Sequence, residues 1–180
     1  MNENDVVASW EVALSDGVHK IDFEHGTTTG KRVLWIDEKE IIRKDWMFKL
    51  VGKEEFVIGK KKIPATVNID ACSGFAYEYT LNVNGKSLKK FCENQSKTSK
   101  AWTLVINGVD SRIVLEKDSM DVWCNGEVVE TFGEFTEDGT ETHFQINDRA
   151  CYIKAISSGN RREGIVHILF VNNRMVPDSV

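Results

Sequence analysis

The chain has 180 residues, 41% of them apolar and 28% charged, a balance that separates it from disordered sequences. Its net charge of −5 lies wholly in the second half: residues 1–91 hold 14 acidic and 14 basic side chains, and residues 92–180 hold 14 and 9. A neutral half joined to an acidic one argues against a nucleic-acid partner. With no 18-residue apolar run, no membrane insertion is expected.

In chain order, the strand signal opens at Trp10, Val12 and Leu14, turns at Asp16-Gly17 and returns through His19, Ile21 and Phe23. Asn or Asp before Gly accepts the positive φ of a tight hairpin turn. The same signal recurs at Asn84-Gly85, Asn107-Gly108, Asn125-Gly126 and Asp138-Gly139. Past the Gly26–Gly30 loop and Trp35, Trp46–Val51 reads as a strand apolar on both faces. Trp46, Phe48 and Leu50 point one way, and Met47, Lys49 and Val51 the other. Lys60–Lys62 suits a hairpin tip, and Pro64 suits a strand start or edge because it cannot donate to a ladder. Phe75, Tyr77, Tyr79, Leu81 and Val83 form one inward line before the next turn. Gly85–Glu93 has room for a single helical turn, and the polar run 92–100 that follows carries no apolar period.

Beyond that run the pattern starts again. At an offset of 92, Trp102, Leu104, Ile106, Ile113 and Leu115 fall on Trp10, Val12, Leu14, Ile21 and Phe23. At an offset of 88, Trp123, Phe144, Ile146, Leu169 and Val171 fall on Trp35, Phe56, Ile58, Leu81 and Val83. The change of offset places four extra residues in the first copy, around Gly26–Gly30. The fold class expected is all-β: two tandem, duplicated β-sandwich domains of antiparallel strands, residues 1–91 and 92–180.

The residues give no reaction centre. Gly85-Lys86-Ser87 ends like a phosphate-binding loop, but Thr80 stands where its first glycine belongs. His19 and His25 are too far apart along one strand to share a metal, and His167 sits on an inward line. The acidic opening Met1–Asp5 has no secretory character, so a cytoplasmic setting with four reduced thiols is expected. Of these, Cys124 beside a turn is the one expected to be accessible. No enzyme activity, metal or cofactor is expected.

Two departures from the repeat point to contacts instead. Trp46, Met47, Phe48 and Val51 either complete a deeper first core or meet the second domain or a partner protein. Residues 126–141 hold six acids and no base, so Glu134, Glu137 and Asp138 either form a solvated edge or dock a basic partner surface.

Six segments resemble the Fas apoptotic inhibitory molecule family in its short, widely expressed form. They are 13–32 (ALSDGVHKIDFEHGTTTGKR), 43–54 (RKDWMFKLVGKE), 68–90 (NIDACSGFAYEYTLNVNGKSLKK), 112–135 (RIVLEKDSMDVWCNGEVVETFGEF), 138–144 (DGTETHF) and 151–159 (CYIKAISSG). The resemblance implies a cytosolic protein of two β-sandwich domains that inhibits death-receptor (Fas)-induced apoptosis. It also implies a role in survival signalling and in protection against aggregation-prone or stress-damaged proteins. It carries over no catalytic, metal or cofactor residue. A sandwich that binds a lipid or carbohydrate between its sheets is the alternative reading of the fold.

Overall fold

The computed structural model describes residues 1–179, and within them every strand pairing is antiparallel. The chain divides into two compact units, Met1–Asn94 and the residues from Gln95 onward.

In the first unit, β1 (Val6–Leu14), β2 (Gly17–His25), β3 (Arg32–Ile36) and β4 (Lys39–Lys44) form one sheet in chain order. A second sheet follows, also in chain order, from β5 (Gly52–Ile58), β6 (Ile63–Ala71), β7 (Tyr77–Val83) and β8 (Lys86–Ser87). Alternate residues of both sheets meet in one core, where Val12, Ile21, Phe23 and Leu34 pack with Ile58, Val67, Ile69, Leu81 and Val83. That is a sandwich: each sheet buries the apolar side of its pleat against the other.

The second unit repeats this plan with β9 (Ser99–Ile106), β10 (Val109–Glu116), β11 (Asp121–Cys124) and β12 (Glu127–Val129) in one sheet. The other sheet holds β13 (Phe132–Thr136), β14 (Gly139–Ile146), β15 (Arg149–Ser157), β16 (Ile165–Val171) and β17 (Arg174–Met175). Trp102, Ile113, Leu115 and Val122 face Phe144, Ile153 and Leu169 across its core. The four-residue change of offset falls in the β2–β3 connection. A further change appears at β6 and β15, where Cys151 takes the place of Ala65 at an offset of 86, because the β5–β6 tip is longer than the β14–β15 tip.

Four local expectations need correction. The helical passage is α1 (Leu88–Thr98), 11 residues rather than one turn. Leu88 and Phe91 lie three apart on one helix face and both pack on the first core, and no Gly or Pro interrupts the segment. Phe75 lies in the turn before β7, with positive φ and full exposure, so the inward line starts at Tyr77. Trp35 and Trp123, expected from the repeat as matched core anchors, are buried, but each alternates with a core residue (Leu34, Val122) and so lies on the other face of its sheet. Trp46–Val51, finally, is not a strand, and that difference defines the candidate site.

A candidate protein-interaction loop

The segment 45–51 joins β4 to β5 without a ladder of its own. Its backbone is instead held from below by buried polar side chains. Arg32, at the start of β3, is only 3% exposed; its Nη2 donates to the carbonyls of Lys49 (3.1 Å) and Val51 (2.9 Å). The carbonyl between them, that of Leu50, accepts from Nε2 of His25 at 2.9 Å. Since Nε2 must carry the proton to donate there, Nδ1 is the acceptor of its 2.7 Å bond with the Tyr79 hydroxyl. Burial holds the His25 imidazole below its ordinary range, and the nearby Arg32 charge pushes the same way against the Leu50 bond. A neutral, single-tautomer imidazole follows.

A guanidinium buried this deeply needs a counter-charge. Glu54 of β5, itself buried, accepts from Arg32 Nη1 at 3.0 Å and from Lys44 Nζ at 2.8 and 3.0 Å. The other end of the loop is tied by Met47 N donating to Thr29 O at 2.9 Å. That approach passes over Gly30, where φ is +70° and a Cβ would collide with the Met47 carbonyl.

With three consecutive carbonyls turned inward, the side chains of the loop turn out. Trp46 is 66% exposed, Phe48 87% and Val51 39%, while Met47 is half-buried. Of the two readings offered for this segment, burial in a deeper first core does not fit the exposed Val51, Trp46 and Phe48, and the two-faced strand is not formed. Burying either aromatic against a partner is worth about 2 kcal/mol or more before the costs of association. Because buried groups already fix the backbone, less ordering entropy opposes that gain. Around the aromatics, Arg43 pairs with Glu40 and Asp45, Lys44 with Glu54 and Lys53 with Glu55, and Lys49 stands beside Phe48.

The acidic residues lie elsewhere, in the second unit. Glu134 is on β13, while Glu137 and Asp138 form its turn into β14. Lys154 pairs with Asp138 at 3.1 Å, and the Lys154 ammonium and Thr136 hydroxyl hold that carboxyl below the usual range. Phe132 and Phe135 on the same strand are 66% and 91% exposed. Phe132, His143, Tyr152 and Phe170 stack side by side across β13–β16, with ring centroids 5.1, 5.3 and 4.7 Å apart. A cavity of about 460 Å³ beside this stack is lined by Glu130, Phe132, His143 and Cys151 among others.

Of the thiols, Cys72 and Cys92 are exposed, Cys124 is half-buried and Cys151 buried. The expectation that Cys124 would be the accessible one fails, because it lies on β11 against the second core and burial pushes its thiol up. Among the described residues no helix is long and apolar enough to cross a membrane.

The chain as a whole matches a known family. The model of Fas apoptotic inhibitory molecule (FAIM1) matches residues 6–179. The chain is 67% identical over 174 residues to Fas apoptotic inhibitory molecule 1 of Homo sapiens, covering 97% of each chain. It is 66% identical over 176 residues to that of Bos taurus, covering 98% of this chain and 88% of the relative.

Proposed function

On the premise that this chain belongs to the Fas apoptotic inhibitory molecule family, we propose that it restrains death-receptor-induced apoptosis in the cytoplasm by binding another protein. The binding surface is the loop 45–51, and its action is occupancy rather than catalysis. The observation that carries this reading is the contrast within the loop: a backbone held by buried Arg32, His25 and Glu54 beneath a Phe48 left 87% exposed. Exposed aromatics on a preorganised support are the usual energetic centres of protein interfaces. Lys49 beside the exposed Phe48 favours a partner with an acidic group at the edge of an apolar pocket.

The test replaces Trp46 and Phe48 together by Ala and measures survival of Fas-stimulated cells at equal protein level. The expected result is loss of protection with an unfolding midpoint equal to that of the parent, since neither side chain supports the core. Full protection by the double variant removes the loop from the mechanism.

A further inference from the structure

We propose that Glu134, Glu141 and His143 form a binding site for a divalent zinc-like cation on the second unit. One ligand atom from each lies within 4.8 Å of the other two. Nε2 of His143 donates to a Glu141 oxygen at 3.0 Å and lies 3.4 Å from a Glu134 oxygen, so a cation taking the place of that proton would meet the imidazole and two carboxylates at one point.

Three features of the fold build this arrangement. Glu134 and Glu141 are directly opposite each other in the β13–β14 register, and like charges so placed repel unless a cation joins them. The lysine that faces Glu141 from β15, Lys154, is bonded to Asp138 and reaches Glu141 only through its field. The imidazole is clamped between the rings of Phe132 and Tyr152, at 5.1 and 5.3 Å, which fixes the direction of Nε2 without help from a ligand.

The donor set selects the cation. One imidazole and two carboxylates suit zinc, which takes three protein ligands and a water in a tetrahedral shell. Calcium and magnesium prefer all-oxygen shells of six or more ligands, and no thiolate is present for a soft ion. Bound there, the ion ties the edge strand β13 to β14. The site is independent of the loop in the first unit and of the function proposed for it.

The experiment is a calorimetric titration of the full, tag-free chain with zinc chloride, in a background where the exposed Cys72 and Cys92 are Ser. One equivalent of zinc is expected to bind and to raise the unfolding temperature. Calcium chloride is expected to do neither. His143→Asn and Glu134→Gln are each expected to weaken zinc binding roughly tenfold or more. Glu134 is 61% exposed, so its variant keeps the test valid if the loss of His143 disturbs the aromatic stack. Absence of a one-to-one zinc isotherm in the parent, or unchanged zinc affinity in Glu134→Gln, overturns the proposal.

Discussion

Residues 45–51 and 133–139 occupy the same place in the two copies at an offset of 88, yet the first is an anchored loop and the second runs along β13 and through its turn into β14. The difference lies in what is buried beneath them. The first unit carries Arg32 and Glu54, and the positions matching them in the second unit are Met120 and Thr142. A buried guanidinium with five donors needs more acceptors than one carboxylate gives, and the nearest carbonyls are those of Lys49 and Val51. Drawing them inward forbids a ladder there. With Met120 and Thr142 in place nothing competes for the backbone, and β13 pairs with β14 through five residue pairs. A charged pair in a core is thus spent on the shape of a surface loop.

Exchanging those residues is the most disruptive test. Arg32→Met is expected to cost about 3 kcal/mol, because Glu54 keeps only Lys44 and the carbonyls of Lys49 and Val51 lose their donor. Adding Glu54→Thr should return part of that loss, since replacing both members of a buried pair is far less costly than removing one. Urea unfolding measures both. An unchanged midpoint for Arg32→Met would mean that the loop is set by something other than this network. Gly30→Ala comes next, at about 2 kcal/mol, from the positive φ and the collision with the Met47 carbonyl. Gly133→Ala makes the matching comparison on β13. A Cβ there meets nothing within 4 Å, and its cost should stay under about 0.5 kcal/mol.

How far the residues announce this depends on where each constraint originates. The repeat is legible because its anchors are large and apolar at a period of two, as with Ile21 and Ile113, both fully buried. Asn84-Gly85 and Asn107-Gly108 announce their hairpins because the residues themselves tolerate positive φ. Asp37-Glu38 and Asn172-Asn173 make equally tight turns, with φ between 49° and 67°, but lack the glycine that marks such a turn. The loop 45–51 misleads for a stronger reason. The alternation of Trp46, Phe48 and Leu50 is that of a strand, while the residues that overrule it stand 17 and 19 positions earlier, at Arg32. A lone Arg at the start of an apolar strand looks the same whether it points into water or into the core. His143 is similar: its place between two rings arises from cross-strand register, which no local pattern records.

The smallest effect separates the two units by pH. His25 anchors the loop as a neutral imidazole whose folded pKa lies below its ordinary value of 6.5, chiefly through burial. Its contribution is therefore present above pH 6.5 and lost as pH falls toward the folded value, because the unfolded chain takes up the proton first. His19 runs the other way. Burial opposes its charge, but the Asp16 and Asp37 carboxylates at 2.9 and 2.7 Å outweigh that and hold its pKa up. Its contribution is complete below pH 6.5 and lost as pH rises through the folded value. His167 of the second unit is also lowered, by burial and then by Lys117 and Lys100, so the acid limb of the whole chain mixes two histidines. The separation comes from His25→Asn and His167→Asn, with the stability of each followed between pH 7.5 and 5.5 (roughly one unit either side of the ordinary imidazole pKa). His25→Asn should flatten the acid-dependent part of Trp46 exposure, and His167→Asn should leave that part intact. If acid still loosens Trp46 once His25 is gone, the acid sensitivity of the loop does not come from the imidazole under the Leu50 carbonyl.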